Sequence, residues 1–226
     1  RYDRALFSEA TTRRWLGHLE VLLADVARDA QRSLGRLALL SEDDRAWIAE
    51  LERGPVKPVD ESRLIHHRVA EIALAMPDAI AVSSMTETRC YAELDAQANR
   101  IARYLRAVGV RCDVPVGVLL PREVRLPEAM LGVLRAGGGY MPIDPDLPLA
   151  RLHFLVEDAG LRHVITSRAV RSLLPESVAL HVLDLDEHDD ALHALDGTAL
   201  PPSADDATPE STAFVIYTSG STGIPK

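Results

Sequence analysis

Residues 213–226 read AFVIYTSGSTGIPK, an apolar run that leads directly into glycines, hydroxyl side chains and one lysine. The apolar run, 213–217, has the length of a buried β-strand. Glycines allow the backbone to curl so that several N–H groups point at one anion. Hydroxyl groups add donors for phosphate oxygens, and the lysine adds a mobile positive charge. The stretch therefore predicts a strand followed by a loop that binds the phosphates of a nucleotide.

The predicted phosphate-binding residues are Thr218, Ser219, Gly220, Ser221, Thr222, Gly223 and Lys226. Their spacing differs from that of the Walker loop, which reads Gly-x-x-x-x-Gly-Lys-Ser/Thr and opens a helix. Here Pro225 disfavours a helical conformation at Ile224, which indicates a loop between strands. The composition alone would also fit a flexible linker, but the ordered string after an apolar run argues against one. No Gly-x-Ser-x-Gly elbow occurs, so these serines are not candidates for acyl-enzyme chemistry.

Upstream of this stretch, helix-like and strand-like patterns alternate, which predicts an α/β fold built on a layered sheet. Predicted strands cover residues 79–83, 115–120, 163–166 and 178–185. Predicted helices cover residues 61–75, 91–108, 127–136, 149–158 and 168–174, and a polar loop is predicted at 204–211. The glycine run 137–139 ends one of these helices, and we expect a turn after it.

The residues before this α/β region predict two amphipathic helices. Apolar residues recur at helical spacing over residues 11–32. A second helix begins after a Ser-Glu-Asp-Asp start at 41–44, which is typical of a capping box, and ends near Gly54. Residues 54–60 contain two prolines and fit an extended linker. We therefore predict a domain boundary that separates residues 1–54 from residues 55–226.

The string TSGSTGIPK at 218–226 resembles the phosphate-loop signature of the adenylate-forming superfamily, which includes acyl-CoA synthetases, luciferases and the adenylation domains of peptide synthetases. Two further stretches resemble this family in the expected order: CYAEL at 90–94 and LRAGGGYMPIDP at 134–145. Cys90 replaces a small hydroxyl residue of the family pattern, and Leu147 replaces a tyrosine. Neither stretch supplies an obvious catalytic group, so we interpret both as structural.

The N-terminal residues narrow the resemblance to non-ribosomal peptide synthetases. Residues 2–41, with the pairs Tyr2-Asp3, His18-Leu19 and Leu39-Leu40, are similar to the end of a condensation domain and its connector. The implied fold is an N-terminal helical connector (1–54) followed by the N-terminal part of an adenylation domain (55–226), an incomplete α/β sheet of the adenylate-forming type. Because the chain lacks an initiator Met and ends within the loop, we expect that both termini are cuts.

The resemblance implies a two-step reaction for the parent protein. An amino acid would react with ATP and Mg²⁺ to give an aminoacyl adenylate, and the acyl group would then pass to phosphopantetheine on a carrier domain. In this family the amino-acid pocket, the adenine and ribose contacts, the magnesium ligand and the mobile lysine follow the phosphate loop. We therefore expect the isolated chain to be inactive, and its amino acid cannot be named. The alternatives are a fragment of a stand-alone acyl-CoA ligase, or a short non-catalytic interaction protein or pseudogene remnant.

Composition argues against several other functions. The 226 residues carry a net charge of −9, which disfavours nucleic acid as a partner, and no apolar run reaches the ~18 residues of a membrane span. Cys90 and Cys112 fit unpaired thiols in a reducing cytoplasm. The eight histidines lack metal-ligand spacing, and we expect them at surface or partly buried helix positions. The acidic run 184–190 lacks the EF-hand pattern and is predicted to be a solvated loop.

Overall fold

The structure of the protein, a computed structural model, describes residues 2–55, 64–203 and 206–218. The chain divides into two compact units, Arg1–Val59 and Asp60–Lys226. The first unit contains helix α1 (Glu9–Arg28) and helix α2 (Glu42–Arg53). No helix in the described part of the chain is long and apolar enough to cross a membrane.

The caps of the first two helices explain where they begin and end. Ser8 accepts a hydrogen bond from the backbone N–H of Thr11, so α1 begins at Glu9 rather than at residue 11. It ends at Arg28 because Asp29 is extended, and the predicted end at residue 32 is therefore wrong. The capping box that opens α2 is confirmed, with reciprocal hydrogen bonds between Ser41 and Asp44.

The second unit is an α/β structure, which confirms the predicted class. Its helices are α3 (Ile65–Ala75), α4 (Tyr91–Ala107), α5 (Arg125–Ala136), α6 (Leu149–Asp158) and α7 (Asp189–His193). Its strands are β1 (Ile80–Ser83), β2 (Thr88–Cys90), β3 (Pro115–Leu119), β4 (Gly139–Ile143), β5 (His163–Thr166) and β6 (His181–Asp184). Strands β1 and β2 form an antiparallel pair, and the other four form a parallel sheet in the order β4-β3-β5-β6.

Several sequence predictions for this unit are wrong in detail. Strand β4 occupies residues for which a turn was expected, because the glycine run caps α5 at Gly137 (φ 98°) and the chain then pairs directly with β3. Strand β2 was also missed. The helix predicted at 168–174 is a single 3-10 turn, Arg171–Leu173, and the strand predicted at 178–185 shortens to β6. The predicted helix start and linker at 56–63 lie outside the described residues.

The core lies on both faces of the parallel sheet, as expected for parallel strands covered by helices. Val116, Val118 and Ile165 are completely buried. Helix α4 packs on α5 at a point of close approach, where a Cβ added to Gly132 would lie 2.5 Å from Cγ2 of Ile101. The sequence predicts an apolar stripe on this helix, and four of its five members are at most 4% exposed: Leu94, Ala98, Ile101 and Leu105. The fifth, Val108, follows the end of the helix and is only partly buried.

The acidic run is not simply a solvated loop. Asp184 ends β6 with 1% exposure, and its Oδ1 accepts hydrogen bonds from the backbone N–H groups of Asp186 and Glu187. Residues from Asp189 onward form α7. These hydrogen bonds order the start of the acidic run, because a buried carboxylate requires hydrogen-bond donors.

Candidate nucleotide-binding site

The predicted phosphate-binding residues fall at the margin of the described structure. Thr218 is the last described residue, whereas Ser219, Gly220, Ser221, Thr222, Gly223 and Lys226 lie outside the described residues. The structure does describe residues 211–218, which we call the loop-bearing segment. The geometry of this segment determines where the candidate loop leaves the fold.

The loop-bearing segment is held at its start by the turn that precedes β3. The carboxylate Oδ1 of Asp113 accepts a hydrogen bond of 2.7 Å from the backbone N–H of Thr212. Next to it, Sγ of Cys112 lies 3.2 Å from Oγ of Ser211. The bond from the Thr212 backbone is the main cause that lowers the pKa of Asp113. A charged carboxylate therefore fixes the first residues of the segment.

The middle of the segment lies along the outer edge of β4. The backbone N–H of Tyr140 donates to the carbonyl of Ala213 over 3.1 Å, and that of Val215 donates to the carbonyl of Tyr140 over 3.0 Å. These two bonds flank a single parallel bridge between Tyr140 and Phe214. The prediction of a regular strand over 213–217 is therefore wrong.

Pro142 explains why the pairing stops. In a parallel ladder the next donor toward the segment after Tyr140 would be the residue two positions later, and Pro142 has no N–H. Proline is tolerated here because β4 is an outer strand of the four-stranded sheet. The segment is thus attached to β4 as far as Val215.

The end of the segment contacts α6. Val215 and Tyr217 pack against a buried cluster that includes Met141 and Leu152, and the Tyr217 hydroxyl donates to Oδ2 of Asp158 over 2.6 Å. Burial, followed by the hydrogen bond to this carboxylate, raises the pKa of Tyr217 to about 12. The alternate side chains have no such cover, since Phe214 is 53% exposed and Ile216 is 59% exposed.

A cavity of about 150 Å³, lined by both polar and apolar side chains, lies elsewhere in the second unit, between α3, α4, α5 and the chain that leads to the loop-bearing segment. Arg135 binds Asp95 and Asn99 there, and Arg106 contacts Asp206. Both arginines form ion pairs with aspartates of the protein, which offset the positive charge that would attract a phosphate.

The prediction that the histidines lie at surface or partly buried helix positions is wrong for two of them. His66 lines the cavity between α3, α4 and α5 and is 7% exposed, and burial is the main cause that lowers its pKa to about 4. His163 is also buried, and its ring stacks on that of His181 in the neighbouring strand. Among the described residues, no group of three or more His, Cys, Asp or Glu could hold a metal ion.

A second cavity, of about 290 Å³, lies at the carboxyl ends of β3 and β5. Parallel sheets commonly bind ligands at such a point, because the strand order reverses there. Oγ of Ser167 is buried in its wall and has no hydrogen-bond partner. Its rim carries the carboxylates of Glu87, Glu123 and Asp186 against one arginine, Arg125, so a phosphate would be repelled. The phosphate-loop candidate therefore remains the residues that follow Tyr217.

Sequence reasoning missed the residues that hold the loop-bearing segment. Asp113, Pro142 and Asp158 carry no local signal of this role, because their partners are distant in the chain. The glycine run at 137–139 could have indicated one of the contacts that hold the segment. A Cβ on Gly139 would lie 2.8 Å from the carbonyl oxygen of Thr212, so this glycine permits a close backbone approach.

The comparisons with known proteins agree with one another. A family model described as AMP-binding enzyme matches residues 69–226. One of the proteins that form the linear gramicidin synthase of Brevibacillus parabrevis is 38% identical over 225 residues, which cover 100% of this chain and 3% of that protein. Chondramide synthase cmdD of Chondromyces crocatus is 36% identical over 228 residues, which cover 100% of this chain and 6% of that protein. The chain thus spans a few per cent of the length of these relatives.

Solved structures give the same result for the fold. The crystal structure of the non-ribosomal peptide synthetase FmoA3 in its AMPPNP-bound form matches with a TM-score of 0.73 and 28% identity. The match covers 94% of this chain and 22% of that one. The complex of VinN with L-aspartate matches with a TM-score of 0.65 and 27% identity, over 73% of this chain and 43% of that one.

Proposed function

Because the chain belongs to the AMP-binding enzyme family, we propose that it is part of a non-ribosomal peptide synthetase module. The module activates an amino acid with ATP as an aminoacyl adenylate. It then loads the acyl group onto the phosphopantetheine arm of a carrier domain. The adjacent condensation and carrier domains are the protein partners that this function requires.

One observation carries the proposal: the similarity to peptide synthetases extends over the whole chain. The AMP-binding model begins at residue 69, whereas the linear gramicidin synthase protein and chondramide synthase cmdD align with 100% of the chain. The alignment therefore includes α1 and α2, which a family of adenylating enzymes in general does not explain. This supports residues 1–54 as the end of a condensation domain and its connector, and residues 55–226 as the start of the adenylation domain.

The candidate loop suits the first step of this reaction. The amino-acid carboxylate attacks the α-phosphate of ATP, and pyrophosphate leaves. Positioning and charge neutralisation supply most of the catalysis in such a displacement. In our proposal, Thr218, the hydroxyl and glycine residues at 219–223, and Lys226 hold the β- and γ-phosphates.

The metal and the cellular location follow from the same proposal. Mg²⁺ enters as the partner of ATP, and oxygens of the ATP phosphates are among its ligands, as is usual for this ion at nucleotide sites. Cys90 and Cys112 are free thiols. A cytoplasmic protein, with access to ATP and a reducing environment, is consistent with them.

The decisive experiment is amino-acid-dependent ATP–pyrophosphate exchange by the full-length protein, across a panel of amino acids. We expect exchange with one amino acid or a small group, and a loss of about 100-fold or more in Lys226→Ala, because the loop then lacks its cation. Arg13→Ala is the matched control, since this side chain is 78% exposed in the first unit. The 226 residues alone should show no exchange.

Other outcomes would favour the alternatives. Thioester formation with free CoA in place of a carrier would indicate an acyl-CoA ligase. Absence of exchange with every amino acid, together with a stop codon shortly after Lys226 in the coding DNA, would indicate a non-catalytic protein or a pseudogene remnant. An open frame through a second subdomain and a carrier domain would support the synthetase.

A further inference from the structure

We propose that Asp113 is a positioning residue for the phosphate-binding loop. Together with Gly139 it fixes the backbone at Thr212, and this determines where the loop starts after Tyr217. The inference rests on the proposed function of the loop, but the contacts that carry it belong to described residues.

The conformation of Asp113 is the first argument. Its φ of 62° makes it the only non-glycine residue with a positive φ in the described part of the chain. It lies in a turn closed by the hydrogen bond from the N–H of Val114 to the carbonyl of Arg111. A glycine or asparagine would suit this position of a turn better than most residues. An aspartate there keeps a disfavoured backbone conformation, and its carboxylate is the group that reaches Thr212.

Gly139 lies against the backbone carbonyl of Thr212. Its own N–H donates to the carbonyl of Val114, which ties the start of β4 to the same turn. A Cβ on Gly139 would lie 2.8 Å from the carbonyl oxygen of Thr212 and 3.1 Å from its Cγ2, so a larger residue would displace the segment. The backbone N–H of Thr212 is thus bonded to Asp113, and the carbonyl of Thr212 packs against Gly139, which has no side chain.

The ladder with β4 carries this fixed position forward and then ends. Two backbone hydrogen bonds attach Ala213 and Val215 to Tyr140. Pro142 has no N–H with which β4 could donate to the carbonyl of Val215 and continue the series. The position of Thr212 and the attachment of Val215 to β4 together determine where the loop begins. Loosening the bond at Asp113 should therefore weaken binding at the ATP phosphates and leave amino-acid binding unchanged.

Two substitutions at Asp113 separate positioning from turn stability. Asp113→Gly suits the positive φ but removes the acceptor for Thr212, whereas Asp113→Asn tolerates the same φ and keeps an oxygen acceptor. Asp29→Gly is the matched control, because Asp29 accepts a local bond from the N–H of Gln31 in the first unit. All variants are made in the full-length protein.

In pyrophosphate exchange we expect kcat/KM for ATP to fall about 10-fold in Asp113→Gly, with KM for the amino acid and the melting temperature unchanged. Asp113→Asn should stay within about 3-fold of the parent, and Asp29→Gly should match it. Hydrogen exchange of the peptide that covers 211–218 should be faster in Asp113→Gly and unchanged in Asp113→Asn.

Two results would overturn the inference. One is parent-like ATP kinetics and parent-like hydrogen exchange in Asp113→Gly. The other is an equal loss of activity and melting temperature in both Asp113 variants, which would show a purely structural role. If the parent itself shows no exchange of pyrophosphate, the proposed function fails, and the hydrogen-exchange comparison still decides whether Asp113 holds the segment.

Discussion

The contact between α4 and α5 and the loop-bearing segment are built in different ways. The two helices meet through buried aliphatic side chains, with Ile101 and Val133 completely buried. The segment is held by backbone bonds to β4, by the Asp113 carboxylate at its start and by the Tyr217–Asp158 hydrogen bond at its end, and its Phe214 and Ile216 side chains remain exposed. Apolar burial is non-directional and scales with the area removed from water, whereas a hydrogen bond fixes position but adds little net stability. Packing therefore maintains the fold, and a few directed contacts place the candidate site.

The largest effect should come from the helix contact. Ile101→Ala removes a fully buried side chain from the α4–α5 contact and leaves a cavity, so we expect the free energy of unfolding of the second unit to fall by about 2–5 kcal/mol. Urea denaturation followed by far-UV circular dichroism measures this change. Leu74→Ala is the control, since Leu74 is 86% exposed and should change stability by less than about 0.5 kcal/mol. Equal effects of the two variants would contradict the distinction between the regions.

A smaller effect should come from filling the same contact. The methyl group of Gly132→Ala would meet Cγ2 and Cβ of Ile101 at 2.5 and 2.7 Å, so we expect a loss of about 1–3 kcal/mol through overpacking. Combining it with Ile101→Ala, which removes the Cγ2 atom that the new methyl meets, should cost less than the sum of the two single losses, because the two positions touch. Gly35→Ala, with open space around its Cβ position, is the matched control. A Gly132→Ala variant as stable as the parent would show that the helices can separate without cost.

The sequence was most informative where structure depends on local signals. Helix α6 and strand β5 lie where they were predicted, at 149–158 and 163–166, because side-chain periodicity and caps are local. Strand β4 was missed because its pairing with β3 depends on distant residues and not on its own glycine-rich start. The bond from Thr212 to Asp113 spans 99 residues, so no local pattern could reveal it. The phosphate loop itself is a prediction from sequence alone, since most of it lies outside the described residues.

A third effect should appear at the cavity that separates α4 and α5 from the chain leading to the segment. The folded pKa of His66 is about 4, below its ordinary 6.5, because burial and nearby His67 and Arg135 disfavour the cation. As the pH falls below about 6.5, the unfolded chain takes up a proton that folded His66 refuses until about pH 4. Stability should therefore be lost across this interval.

His66→Asn should reduce that dependence, measured as urea midpoints between pH 7 and pH 4. His67→Asn, at the exposed neighbouring position, should keep most of it. If the urea midpoint of His66→Asn changes with pH as much as that of the parent, other groups cause the acid sensitivity.

The smallest effect should come from the outer end of the loop-bearing segment. Tyr217→Phe removes the hydrogen bond to Asp158, and because the hydroxyl is partly exposed we expect a loss of about 0.5–1.5 kcal/mol at neutral pH. The folded pKa of Tyr217 is about 12, above the ordinary 10. The stability that the retained proton provides is complete below pH 10 and is lost as the pH rises toward 12.

The phenylalanine variant should therefore lose less stability than the parent between pH 10 and pH 12, and its 211–218 peptide should exchange hydrogen faster at neutral pH. Tyr2→Phe in the first unit is the control and should change neither measurement. If Tyr217→Phe exchanges as slowly as the parent, the Asp158 contact adds nothing to the attachment at Thr212 and Val215. Attachment at one end would then be sufficient to place the loop.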